Sequence, residues 1–258
     1  MNLSISNIAW SAKYDSEMYM FLHQQGFTGL EIAPTRIFPN NPYDHTTEAK
    51  DFSLQLKREY GICISSMQSI WYGITESLFG TEENRQKLID YTKKAINFSE
   101  IIGCKNIVFG SPKNRNIPSL DKLPVGIDFF SKLGRYALQH NTVIAIEPNP
   151  PIYNTNFINT TKEAFDFCKQ INSKGFLVNV DLGTIIQNQE DLREVRENIH
   201  LVNHIHISEP YLAQIEERDL HKQIKELDYH NFISIEMKNF NEIALVKNTM
   251  RYIREILL

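Results

Sequence analysis

The sequence predicts a single-domain (β/α)8 TIM barrel over residues 1–258. Three observations carry that expectation. Short β-branched runs alternate with longer amphipathic stretches from end to end, there are eight such runs, and the two faces of the later runs differ in a graded way. The strand candidates are Leu3–Ile8, Gly29–Ile32, Ile62–Met67, Asn106–Phe109, Val143–Glu147, Phe176–Asp181, Val202–Ile207 and Phe232–Glu236. Between them, Leu88, Tyr91, Ala95, Phe98 and Ile102 step by 3 and 4 along one helical face, as do Ile243, Val246, Met250, Ile253 and Leu257. Thr160 and Glu163 have capping-box spacing, and Pro124 ahead of Ile127, Phe130 and Leu133 fits a Pro-started helix. Gly26, Gly61, Gly103 and Gly175 each follow a helical pattern, where a left-handed cap is expected.

Side chains alternate across a strand. In Val143–Glu147 one face carries Val143, Ala145 and Glu147; in Phe176–Asp181 it carries Leu177, Asn179 and Asp181. In Val202–Ile207 the matching face is Val202, His204, His206, and in Phe232–Glu236 it is Phe232, Ser234, Glu236. The opposite faces are mostly large and apolar, suited to lying under helices. The first set starts apolar and turns small or polar toward the C-terminal end. A doubly wound open sheet would bury both faces in apolar contacts, whereas a closed barrel with a functional mouth at its strand C-termini predicts this gradient.

Composition narrows the partners. The chain is 42% hydrophobic and 22% charged with a net charge of -4, which excludes collagen-like and low-complexity chains and supplies no general attraction for nucleic acid or acidic lipid. No apolar run approaches the roughly 20 residues a bilayer crossing needs, and the start Met1-Asn2-Leu3-Ser4 lacks a signal-peptide pattern. Cys63, Cys104 and Cys168 are scattered without a CxxC and are expected as buried free thiols in a cytoplasmic protein.

Four strand ends carry groups able to bind a metal: Glu147, Asp181, His206 and Glu236, spaced 34, 25 and 30 residues apart. Each spacing is close to one βα unit, about 30 residues, so closure of the barrel brings all four to one rim. Three carboxylates in a partly dry cavity repel by several kcal/mol at an effective dielectric near 20, approximately, unless protonated or joined by a cation. An oxygen-rich set with one imidazole suits one divalent ion, Mn2+ first, then Mg2+ or Co2+, with Zn2+ as a further alternative.

These segments resemble the xylose-isomerase-like barrels, the sugar isomerase/epimerase superfamily that also includes apurinic endonucleases. The likeness rests on Ile146-Glu147-Pro148, Val180-Asp181-Leu182-Gly183, His204-Ile205-His206-Ile207-Ser208-Glu209, Ser234-Ile235-Glu236-Met237, and the strand-four segment Gly103-Cys104-Lys105-Asn106-Ile107-Val108-Phe109-Gly110. The site pattern is nearest to ketose 3-epimerases. The resemblance implies that Glu147, Asp181, His206 and Glu236 bind one metal and that Glu147 and Glu236 face each other across a carbohydrate substrate as acid and base. The reaction it implies is proton abstraction next to a carbonyl through a cis-enediolate, giving epimerisation or isomerisation. Dehydration of a keto-sugar or keto-inositol on the same barrel is the alternative, ahead of a non-catalytic sugar-binding barrel and an apurinic endonuclease. Pairing of barrels into a homo-oligomer is also implied.

The sequence departs from the epimerase pattern at Thr184, where those enzymes carry His, and at Leu212, where they carry Arg, with Arg218 further along. The endonuclease pattern lacks its histidines at Gln68-Ser69 and Gly110-Ser111. Substrate contacts are therefore sought among other rim residues. Ser111, Lys113 and Arg115 form a loop suited to an acidic substrate group, and Asn149, Tyr153 and Asn154 follow the candidate catalytic Glu147. Trp10, Gln68 and Trp71 are candidates to wall the sugar, and Glu209 and Lys238 complete the set, Lys238 lying two residues after Glu236. His204 lies a layer below His206 and is read as a hydrogen-bonded core histidine.

Overall fold

The computed structural model describes residues 1–258. Eight parallel strands close in sequence order into a barrel: β1 Asn2–Ser6, β2 Gly29–Ile32, β3 Cys63–Met67, β4 Ile107–Phe109, β5 Ile144–Ile146, β6 Phe176–Asp181, β7 Val202–Ile207 and β8 Phe232–Ile235. The final pairing sets Leu3 beside Ile233 and Ile5 beside Ile235. Ten helices surround or cap them: α1 Asp15–Gln24, α2 Pro34–Ile37, α3 Thr46–Tyr60, α4 Glu82–Ile101, α5 Leu123–Gln139, α6 Thr161–Ile171, α7 Leu182–Asn188, α8 Arg193–Glu197, α9 Asp219–Lys225 and α10 Ile243–Leu257. None is long and apolar enough to cross a membrane.

Local chemistry sets the boundaries. β1 stops at Ser6, short of the expected Ile8, because Asn7 turns inward and its side-chain oxygen accepts from the Ala33 amide at 3.0 Å. Thr160 and Glu163 form the expected reciprocal cap of α6. Gly26, Gly61 and Gly103 are left-handed as expected, but Gly175 is not. The left-handed residue after α6 is Asn172, and Gly175 serves close approach instead: a Cβ there would lie 2.0 Å from the Gly134 carbonyl of α5.

Between barrel and helices, Trp71, Phe109, Phe129, Phe130, Phe167 and Phe176 pack edge to face or tilted, with centroids 4.6–6.0 Å apart. The barrel interior is more polar than the expected gradient. Ser4, Ser6, Glu31, Ser66, Asn179, His204 and Ser234 are all buried. Several of them pair internally: Ser4 Oγ lies 2.5 Å from Ser65 Oγ, Asn106 Nδ2 donates to Ser66 Oγ at 2.9 Å, and His204 Nε2 sits 2.9 Å from Ser234 Oγ, whereas Glu31 Oε1 and Asn179 Oδ1 have no partner.

Candidate metal centre and substrate cavity

Glu147 and Glu236 stand one residue past β5 and β8, Asp181 ends β6, and His206 lies one residue before the end of β7. Donor atoms of all four lie within 4.8 Å of one another. His206 is fully buried; its Nδ1 faces Glu147 Oε1 at 3.0 Å and Glu236 Oε2 at 3.2 Å. Its Nε2 faces Glu31 Oε2 at 2.9 Å, so Glu31 accepts the Nε2 proton and leaves Nδ1 directed at the carboxylates.

Each carboxylate is oriented by neighbours. Asn179 Nδ2 donates to Glu147 Oε1 at 2.8 Å and Asn149 Nδ2 to Glu147 Oε2 at 3.1 Å. Gln68 Nε2 donates to Glu236 Oε1 at 2.8 Å, while its carbonyl accepts from Ser69 Oγ at 2.6 Å. Asp181 caps α7, accepting from the Thr184 amide at 2.6 Å and from the Ser208 hydroxyl. Gly110 leaves room for the first of these groups: a Cβ there would stand 2.8 Å from Glu147 Oε2.

Burial, helped by repulsion from Glu147, pushes the Asp181 carboxyl up to about 6 and the Glu236 carboxyl up to about 7; His206 opposes both shifts. Burial opposes ionisation of Glu31, but His206 and His204 overcome it and hold that carboxyl well below its usual range. For His206, burial favours the neutral ring, yet Glu31 and Glu236 raise it well above ordinary histidine. Three carboxylates gathered around one imidazole nitrogen fit a divalent cation, and a carboxylate behind the ring is the usual support for a metal-binding histidine. The four side chains form a candidate metal centre.

A cavity of about 200 Å3 opens above it, and Gln68, Ser111, Asn149, Tyr153 and Glu209 line it with Glu147, Asp181 and Glu236. The remaining sequence candidates lie elsewhere. Trp10 is buried, donating from Nε1 to Asp15 at 2.8 Å under the Arg36 guanidinium. Trp71 belongs to the aromatic core and donates to Thr92 Oγ1 at 2.9 Å, its edge reaching only a neighbouring cavity that Lys113 also lines. Arg115, expected as a rim cation, is fully buried. It donates to the Glu147 carbonyl at 2.9 Å, Asn149 Oδ1 at 3.0 Å and the Ile158 carbonyl at 3.3 Å, which braces the loop carrying Asn149. Burial depresses its pKa to about 10. Asn154 is an exposed left-handed turn residue, and exposed Lys238 lies over the Phe240 ring at 5.3 Å.

Thr184 hydrogen-bonds the Pro148 carbonyl at 2.8 Å, and Arg218 pairs with Glu209 through two 2.7 Å contacts. Sequence reasoning did not assign Glu31, Asn179 or Ser208. Glu31 is a lone acid in an apolar strand and Asn179 sits two residues before Asp181 on the same face, so alternation was the available signal.

Residues 21–256 match the family model of the xylose isomerase-like TIM barrel. The chain belongs to that family. No curated protein matches it by sequence. Among solved structures, 3-keto-D-glucoside 4-epimerase from E. coli is similar at TM-score 0.80 and 20% identity, covering 99% of each chain. D-Psicose 3-epimerase from Clostridium cellulolyticum H10, solved with D-tagatose, is similar at TM-score 0.79 and 15% identity, covering 100% of this chain and 99% of that one. A probable 3-DHS dehydratase from Bacillus anthracis matches at TM-score 0.71 and 15% identity, covering 100% and 98%. At these identities the likeness is one of fold.

Proposed function

We propose that the protein is a divalent-metal-dependent sugar epimerase or isomerase that removes a proton next to a carbonyl and returns it through an enediolate. The observation that carries this reading is the convergence of Glu147, Asp181, His206 and Glu236 donor atoms within 4.8 Å at the floor of an open cavity. The ion, for which Mn2+ suits the oxygen-rich donors, would supply Lewis-acid stabilisation of charge on the substrate oxygens. Glu147 and Glu236 take and return the proton, one on each face of the reacting carbon, within hydrogen-bond reach of the substrate. Asn149, Asn179 and Gln68 hold those carboxylates in place, so little reorganisation accompanies proton transfer. The sugar-epimerase activities of structurally similar proteins support the same class. We assign the cavity residues Ser111, Tyr153 and Glu209 to substrate hydroxyls on the same basis, and the protein to the cytoplasm on its three free cysteines.

The test is solvent-deuterium exchange into a panel of keto-sugars with the Mn2+-loaded protein. Glu147→Gln and Glu236→Gln should each lower exchange by about 10²–10⁴-fold while far-UV dichroism is unchanged. Exchange equal to wild type in both variants would overturn the assignment. A product lighter by one water would place the reaction with dehydration, as in the Bacillus anthracis neighbour.

A further inference from the structure

The metal-centre cavity does not end at its own wall. A second cavity of about 450 Å3 adjoins it, and the two share Ser69, Ser111 and Pro112. Alone, the inner space of about 200 Å3 is below the roughly 300 Å3 at which ligand pockets usually begin; joined to its neighbour it falls within the usual range.

The outer compartment is built rather than a gap between loose loops. Asn114 is buried and its Nδ2 donates to the carbonyls of Ile74 at 3.0 Å and Glu76 at 2.9 Å, while the Leu78 amide donates to the Asn114 carbonyl at 2.8 Å. The loops after β3 and β4 are thereby clasped together. At the junction, Ser69 (φ 54°) and Ser111 (φ 43°) both adopt the left-handed conformation, a costly backbone state for a residue with a side chain and one that clusters at binding sites. The lining combines an aromatic ring, Tyr72, which is 71% exposed, with Thr75 and the exposed ammonium of Lys113. An accessible ring beside hydroxyl and ammonium donors matches a sugar: the ring meets the apolar C–H face and the donors meet hydroxyls.

We infer that the substrate is a keto-disaccharide, whose reacting ring lies over the candidate metal centre while a second, glycosidically linked ring lies on Tyr72 in the outer compartment. This rests on the proposed enediolate chemistry. The outer ring undergoes no chemistry; it supplies binding energy and selects glycosides over free ketoses.

Two matched pairs test it with the Mn2+-loaded enzyme: 3-ketolactose against methyl 3-keto-β-D-galactoside, and palatinose against D-fructose, each followed by solvent-deuterium exchange. The two-ring sugar should exceed its single-ring partner in kcat/KM by about three- to tenfold in at least one pair, and Tyr72→Ala should erase that difference chiefly through KM. Equal kcat/KM within both pairs, or a preference that survives Tyr72→Ala, would overturn the two-ring inference and leave the enediolate reading standing. No exchange from any of the four sugars would overturn both.

Discussion

Glu31 has no path to solvent, yet it decides which way the His206 ring presents its nitrogens. Replacing its carboxylate by an amide weakens the grip on Nε2–H and lets the ring populate the other tautomer. We expect Glu31→Gln to lower Mn2+ affinity by about 10–100-fold, measured by titration of the metal-stripped protein with free Mn2+ followed by electron paramagnetic resonance; unchanged affinity would remove Glu31 from the site. The four metal-site candidates were legible because each ends a strand one βα unit from the last. Their supports were legible only in part: alternation puts Asn179 on the inward face with Asp181, but which groups Glu31, Asn179 and Ser208 hold is set by contacts between strands. Arg115 illustrates the opposite error. A cation between Asn114 and Asn116 reads as solvated rim, and only the three buried acceptors around it explain why it turns inward.

Among the elements, α5 and the start of β6 meet at two glycines. The absent side chain at Gly175 lets its backbone come against the Gly134 carbonyl, which brings α5 down onto Phe176. Gly175→Ala should cost about 1–3 kcal/mol in urea denaturation through overpacking, whereas a left-handed cap role would have placed the strain in φ. A cost near zero would contradict the close-approach account. Strand spans were legible to within one or two residues because period-2 alternation is strong in β6, β7 and β8. The β-bulges between β2 and β3 and between β6 and β7 were not, because they answer to barrel closure rather than to local pattern.

Across the whole molecule, the centre links proton uptake to metal binding. Asp181 and Glu236 ionise near 6 and 7 in the folded metal-free protein, against about 4 in an unfolded chain. Folding therefore retains protons between those values, and this contribution to metal-free stability is lost as pH rises from about 4 to 7. Raised His206 acts in the same direction. A cation replaces those protons, so the rise in Tm caused by Mn2+ should grow from pH 5 to pH 8; a flat or falling increment would contradict the linkage. Buried His221, lowered to about 4 mainly by burial, alters both forms alike and cancels in that difference. Closure of the barrel was legible from eight alternating units, as were the inward Asn179, His204 and Ser234, but the buried Ser4, Ser6, Glu31 and Ser66 of β1 to β3 were not, because single polar residues inside short strands carry no period of their own. Everything at the mouth depends on four side chains sharing one ion. Calorimetric titration of the metal-stripped protein with Mn2+ tests this most directly: the account predicts one ion per chain, with binding lost in Asp181→Ala and in His206→Ala. Saturable binding that survives both substitutions, or none in the native chain, would contradict it.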